Sequence, residues 1–344
     1  MLRLPPIKLE TPSTATEAAQ LVANAGGSVR LVAGGTDLWP NMKRRHQKAE
    51  TVISLMSIPG LDAIDSAAAD LRLGATARLS DIIRDDNIRE RFPAFANAVA
   101  SISSPPLRNM GTIGGNLCVD TRCTYYNQTE EWRRSIDYCL KEGGDICWVA
   151  TKSPRCWAHT ASDSAPILCA LDAKVKLVSP TGERELPLVK FYVDDGIDYL
   201  AKQADEILTE VSVPGSSDAG HCSSSFWKLR RRGSIDFATL SVAAAVWTDD
   251  NDQVTRASMY LGAVGSAPMP VAEIESVLVG NKITEEAIAR IAHAAHRIAR
   301  PMDITDFTAA WRGKMTEQYA AAALREIAGL PPIRMRPRHR LTIV

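Results

Sequence analysis

Polar and apolar positions along this chain follow two rhythms, one of period two and one near 3.6, and they trade places often in the first half. "TPSTATEAAQLVANAGG" opens on Thr14 as a cap with Glu17 three residues on, carries an apolar stripe at helical spacing, and stops at glycine. In "SVRLVAGGTDLW", Val29–Ala33 reads as a buried strand that Gly34-Gly35 closes in a tight loop. "TVISLMSIPGL" reads as strand–turn–strand and "LRLGATARLSDIIRD" as strand-to-helix, with Ser80 as the expected cap. "RFPAFANAVASISSPPLRNMGTIGGNL" is a helix running into a Ser/Pro break and then a Gly-rich loop. "DSAPILCALDAKVKLVSPTGEREL" returns to a helix and a strand hairpin around Pro180-Thr181-Gly182.

From about Ser216 the rhythm changes. "SSFWKLRRRGSIDFATLSVAAAVW" and "VTRASMYLGAVGSAPMPV" predict long apolar strands, and "TEEAIARIAHAAHRIAR" and "MTEQYAAAALREIAGL" predict two amphipathic helices with Ala-rich faces. The pattern is that of an alternating first part followed by a C-terminal α+β domain. The end, "RMRPRHRLTIV", is basic, and reads as a mobile tail or one that docks on a partner. His293 and His296 lie i, i+3 on a helix without a carboxylate between them and read as surface residues.

Composition adds exclusions. At 344 residues, 45% hydrophobic and 23% charged, the chain is long enough for two or three units with real cores. Forty basic side chains balance forty acidic ones, which argues against a general nucleic-acid or membrane-surface binder. No run approaches a membrane span, and the opening residues lack an apolar leader core. The expectation is a cytoplasmic chain whose thiols stay reduced. No Ser/His/Asp or Cys/His constellation suggests a hydrolase.

Two glycine motifs carry candidate chemistry. "VAGGTDL", Val32–Leu38, strips the backbone of side chains after a strand, so N–H groups can approach a phosphate; an ordinary tight turn has the same look. "GTIGGN", Gly111–Asn116, does likewise, with Thr112 and Asn116 as hydrogen-bonding side chains. Neither is a G-x-G-x-x-G fingerprint or a P-loop. Together they suit a dinucleotide held between two subdomains.

Between "GGN" and the next regular element lies a polar, turn-rich segment with Cys123, Cys139, Cys147 and Cys156, spaced C-x15-C-x7-C-x8-C. The spacing is neither a zinc ribbon nor a compact ferredoxin run. Four thiolates still suffice for a sulfur site holding zinc or an iron–sulfur cluster, against the plainer reading of buried free cysteines. The absence of apolar periodicity favours metal or cluster binding. Cys118, Cys169 and Cys222 lie in apolar contexts and read as core thiols. In "FWKLRRRGSID", Lys228 and its arginine neighbours are either a solvated edge strand or cations presented to a flavin ring edge or a phosphate.

In their order, "VAGGTDL", "NMGTIGGNL", "SDSAPILCALDAKV", "EILTEVSVP", "FWKLRRRGSIDFATLSVAAAV" and "YLGAVGSAPMPV" resemble the FAD-binding medium subunit of the molybdenum hydroxylases, the xanthine and carbon monoxide dehydrogenase family. The resemblance spans essentially the whole chain. It implies an α+β fold: a two-subdomain FAD-binding unit of the vanillyl-alcohol-oxidase-like type (1–57 and 58–215), a C-terminal α+β domain of the CO dehydrogenase flavoprotein type (216–335), and a basic tail (336–344). Most of the family passes from "GGN" to "SD" within about ten residues; here 46 residues separate Asn116 from Asp163, with the insertion at about 118–158. A four-cysteine insertion at this place, with "TRCTYYNQTEEWRRSIDYCLK", resembles the β subunit of 4-hydroxybenzoyl-CoA reductase, which implies a [4Fe-4S] cluster on Cys123, Cys139, Cys147 and Cys156. Some periplasmic aldehyde oxidoreductases of the family also carry a cluster here, in a different sequence context. The same resemblance implies that Val32, Ala33, Gly34, Gly35, Thr36 and Asp37 wrap the FAD pyrophosphate. Gly111, Thr112, Gly114, Gly115 and Asn116 form the second wall, Asp163 reaches the ribose or a neighbouring group, and Lys228 sits near the flavin ring. It further implies a large molybdopterin subunit and a small [2Fe-2S] subunit as partners, a ferredoxin donor, a dimer of heterotrimers, and either reductive dehydroxylation of an aromatic CoA thioester or an oxidative hydroxylation.

Overall fold

The computed structural model describes residues 2–25, 27–215, 220–305 and 307–332. The basic tail at 336–344 lies outside the described residues. In chain order the elements are β1 (Lys8–Glu10), α1 (Ala15–Ala23), β2 (Val29–Val32), α2 (Leu38–Lys43), β3 (Thr51–Ser54), β4 (Ile64–Asp65), β5 (Leu71–Gly74), α3 (Leu79–Arg84), α4 (Asp86–Arg91) and α5 (Pro93–Ala100). Then come α6 (Pro105–Arg108), α7 (Ile113–Leu117), α8 (Glu130–Ser135), α9 (Ser164–Ala170), β6 (Lys174–Ser179), β7 (Gly182–Pro187) and β8 (Ile207–Val213). The C-terminal part holds β9 (His221–Leu229), β10 (Leu240–Thr248), β11 (Val254–Gly262), β12 (Met269–Pro270), α10 (Glu273–Leu278), α11 (Glu285–Ile298) and α12 (Ala309–Ile327).

Three sheets organise the described residues. A small parallel sheet has the order β1-β3-β2, an antiparallel sheet the order β4-β5-β8-β6-β7, and a second antiparallel sheet the order β12-β11-β10-β9. Helix α1 begins where expected: the Thr14 hydroxyl accepts from the Glu17 N–H, and Glu17 reaches back to the Ser13 N–H at 2.7 Å. Its Ala18 and Ala19 face is buried against Ile53, Leu55 and Ile207, so it ties the parallel sheet to the five-stranded one. Ser80 does not cap α3. The helix starts at Leu79 with Arg78 at the cap position and no side-chain cap, because the chain enters it through a bridge between Arg78 and Thr112 that already supplies the Leu79 N–H with the Gly111 carbonyl at 2.9 Å.

Strand β10 explains the longest apolar run. Ala243, Ala245 and Trp247 face the core formed with α5, α9 and the five-stranded sheet, while Val242, Ala244 and Val246 face α11 and α12. A central strand buried on both faces has no polar face to show. The neighbouring β9 pairs with β10 and puts Phe226 and, two residues on, Lys228 on the α5/α9 side. Among the described residues no helix is long and apolar enough to cross a membrane.

Candidate cofactor cleft and cysteine site

A cleft of about 890 Å³ opens between the parallel sheet and the five-stranded sheet. Its first wall is the turn from β2 into α2. Gly35 sits at φ +70°, and a Cβ at Gly34 would collide with the Met110 carbonyl, so both positions need glycine. Among the described residues, the N–H groups of Gly34, Gly35, Thr36 and Asp37 have no protein acceptor. Four consecutive unspent donors beside a cavity suit an anionic ligand such as a diphosphate.

The second wall differs from its expectation as a loop. "GTIGGN" forms the short helix α7, capped by the Thr112 hydroxyl, which accepts from the Gly115 N–H at 3.1 Å. The Ile113 and Gly114 N–H groups bond the Ala77 and Ala75 carbonyls. A Cβ at Gly114 would sit 2.7 Å from Ala75, so this glycine serves close backbone packing rather than ligand approach. The two motifs touch through Gly34 and Met110-Gly111. Eleven of the thirteen expected cofactor residues line the cleft: Val32–Asp37, Gly111, Thr112 and Gly114–Asn116.

Asp163 and Lys228 are placed behind that lining. They form a buried ion pair at 2.7 Å, and Lys228 Nζ also donates to the carbonyls of Ser101 and Asp236, both at 3.0 Å. Lys228 is therefore no solvated edge-strand residue. Burial raises the Asp163 carboxyl above its ordinary range, against the pull of Lys228. Its Oδ1 is buried without a partner. The Asn116 side-chain carbonyl accepts from Ser162 Oγ at 2.9 Å and Ser164 Oγ at 2.6 Å, which fastens the cleft wall to either side of Asp163.

The cysteine segment is closed at its base by Arg122 and His159, whose N–H and C=O groups exchange bonds at 2.8 and 2.9 Å. Cys123, Cys139, Cys147 and Cys156 are all buried and line one small cavity, with no disulfide between them. The Ala158 N–H donates to Cys156 Sγ at 3.4 Å, and nearby backbone N–H groups pull the Cys123, Cys139 and Cys147 thiols downward against the effect of burial. Burial pushes the Cys123 thiol up to about 11 and raises Cys139 as well. A hydrogen bond from Cys156 holds Cys147 below the ordinary thiol range and raises Cys156 itself. Among the described residues, no group of three or more His, Cys, Asp or Glu side chains has the arrangement of a metal-ion site. Cys118 borders the larger cleft instead, its thiol pushed up to about 11 by burial, which separates it from the four.

The structure joins the insertion to the cleft. Tyr126, Lys141 and Glu142 of the insertion line the cleft together with His46. Tyr126 Oη donates to the His46 carbonyl at 2.9 Å, and Arg133 to that of Arg45 at 3.2 Å. Arg122 pairs with Asp37 of the first wall and stacks its guanidinium 4.8 Å over Phe237. Burial nevertheless raises the Asp37 carboxyl, with Arg122 opposing. These contacts bridge separations in sequence of 80 to 115 residues, and the one signal for them was that the insertion leaves directly from a cleft wall.

Comparison with known proteins follows the same division. Residues 5–216 match the FAD binding domain in molybdopterin dehydrogenase, and residues 224–327 match the CO dehydrogenase flavoprotein C-terminal domain. The nicotinate dehydrogenase FAD-subunit of Eubacterium barkeri is 30% identical over 75% of this chain and 74% of its own length. The aldehyde oxidoreductase FAD-binding subunit PaoB of Escherichia coli is 30% identical over 79% and 84%. A chain of the carbon monoxide dehydrogenase of Hydrogenophaga pseudoflava superposes with a TM-score of 0.75 at 24% identity, covering 94% of this chain and 97% of that one. With the cleft, its glycine walls and both domains accounted for, the chain belongs to the FAD-binding subunit family of the molybdopterin-dependent dehydrogenases.

Proposed function

We propose that this protein is the electron-transfer flavoprotein subunit of a molybdenum-dependent oxidoreductase, carrying FAD in the cleft and a [4Fe-4S] cluster on Cys123, Cys139, Cys147 and Cys156. The observation that carries the reading is the common cavity lined by four buried thiols, where the Ala158 N–H donates to Cys156 Sγ at 3.4 Å. Such donors stabilise thiolate charge and tune cluster potential. A lone tetrahedral zinc, with Zn–S near 2.3 Å, needs sulfurs about 3.8 Å apart. A [4Fe-4S] cluster takes the same four thiolates, one on each iron, and metal analysis separates the two.

The two cofactors supply the redox chemistry when bound. The chain's own residues position them. The unspent N–H groups of Gly34–Asp37 would hold the diphosphate, the α7 wall closes the other side, and the insertion's Tyr126 and Lys141 line both cavities. A molybdopterin subunit and a [2Fe-2S] subunit complete the assembly, as a dimer of heterotrimers.

On the likeness of the insertion, the reaction is reductive dehydroxylation of 4-hydroxybenzoyl-CoA to benzoyl-CoA, with a reduced ferredoxin as donor. The second reading is an oxidative hydroxylase of an aldehyde, CoA ester or N-heterocycle. It is favoured by relatives whose names are those of a nicotinate dehydrogenase and an aldehyde oxidoreductase. Flavin, iron and zinc per chain on protein purified without oxygen come first: about one FAD and four irons are expected, FAD without iron sinks the cluster, and zinc in its place replaces it. The whole complex is then assayed with 4-hydroxybenzoyl-CoA and a low-potential donor, and with aldehydes and N-heterocycles and an artificial acceptor. Turnover only in the second assay overturns the reductive reading.

A further inference from the structure

One buried ion pair stands between the two cavities. Lys141 Nζ lies 2.7 Å from Asp120 Oδ1, and the two side chains are 7% and 9% exposed. The ammonium also donates to Thr121 Oγ1 at 2.8 Å and to the Gly196 carbonyl at 2.7 Å, which fixes its position. It lies 5.0 Å from the Tyr126 ring and 5.6 Å from the Tyr199 ring. The pair is asymmetric with respect to its surroundings. Lys141 borders both the cysteine cavity and the cleft, whereas Asp120 borders the cleft alone, held there by Gln47 at 3.3 Å as well.

We propose that this pair sets the reduction potential of the cluster held by the four cysteines, Lys141 raising it and Asp120 lowering it; the proposal rests on the cluster reading above. One-electron reduction adds one negative charge to a thiolate-ligated cluster, and net local charge is among the factors that set such potentials. A fixed cation on the cavity wall stabilises the more negative, reduced form. The charge is buried, so water and salt screen it weakly. Asp120, farther from the cavity and of opposite sign, opposes that effect in part. Lys141 is thus a positioning and tuning residue, not a ligand.

The test uses the holoprotein in its complex, purified without oxygen, as wild type, Lys141→Met, Lys141→Arg and Asp120→Asn. Iron and FAD per chain are measured first, then the cluster potential by EPR during stepwise reduction with dithionite. At the wild-type midpoint, Lys141→Met should lower the reduced-to-oxidised ratio about tenfold, equal to about 59 mV for a one-electron couple. Asp120→Asn should raise that ratio, and Lys141→Arg should hold it near the wild-type value. A purely structural role would lower the melting temperature and leave the potential in place. Potentials unmoved in iron-replete Lys141→Met and Asp120→Asn, or moved in the same direction, overturn the proposal while the cluster reading stands. No iron in the wild type overturns the cluster reading and takes the proposal with it. If Lys141→Met loses its iron, Asp120→Asn decides alone; loss of iron there too makes the pair a structural support of the site and overturns the tuning role.

Discussion

The cleft and the cysteine cavity share a wall but are built from opposite materials. The cleft is lined by stretches about eighty residues apart in sequence, and the edge proposed to bind an anion is backbone: glycines at 34 and 35 whose value is what they lack. The cysteine cavity is enclosed by one segment, Cys123–Ala158, and the chemistry proposed for it is in side chains. A backbone site depends on the fold to bring two loops together and fails when a Cβ intrudes. A side-chain site depends on four atoms and fails when one is removed. The two sites should therefore be separable by single substitutions, although Tyr126 and Lys141 belong to both.

Gly34→Val is the strongest way to break the first site alone. The new side chain has no room beside the Met110 carbonyl, so the two loops must part. FAD per chain should fall to near zero, with iron retained. Overpacking of this kind also costs about 1–3 kcal/mol. Flavin absorbance and iron assay on the same sample check it, and coordinate loss of both would show that the sites are one unit. Cys139→Ala is the converse. It should abolish the proposed cluster and leave FAD bound, and full retention of iron would remove Cys139 from the ligand set.

The sequence was legible where a pattern is local. The Thr14–Glu17 cap, the β6–β7 hairpin and the doubly buried β10 follow from neighbours a few residues apart. Ser80 failed as a cap because a tertiary bridge, Arg78 to Thr112, already provides the entry to α3. "GTIGGN" looked like a loop because two glycines disfavour a helix, yet Thr112 caps α7 and Gly114 lets it pack on Ala75. Residues whose role comes from distant contacts left no trace: Arg122 meets Asp37 across 85 positions, and nothing near Lys141 marks it as a cleft residue.

Behind the cleft lining, the Asp163–Lys228 pair tests whether that wall depends on side chains at all. Lys228→Met leaves a buried carboxylate without its cation, at a cost of about 3–5 kcal/mol, and the melting temperature should fall by roughly 10 °C. Adding Asp163→Asn should restore most of the loss, because the double variant removes the uncompensated charge. FAD affinity should follow stability in both. A large affinity loss in the double variant at near-normal melting would mean that the pair contacts the cofactor directly.

The smallest effect is set by acid and separates the two sites by their order of failure. His159 is buried at the base of the insertion, and burial, reinforced by the nearby Arg312 and Arg122 cations, pushes its imidazole down to about 4. In the unfolded chain the same group takes up a proton near pH 6.5. The folded state is thus fully favoured above about pH 6.5, and this contribution is lost as pH falls toward 4, on the order of 3 kcal/mol in all and about 2 kcal/mol by pH 5. His46, on the cleft side, is also lowered by burial and adds in the same direction. Since His159 and Arg122 close the insertion through paired backbone bonds, strain from protonation falls first on the cysteine site. At pH 5 iron should be released before flavin, and His159→Asn should narrow the difference in urea midpoint between pH 7 and pH 5. Simultaneous release of flavin and iron, with an unchanged pH difference in the variant, would show instead that acid opens the shared wall of Tyr126 and Lys141 and that the two sites fail together.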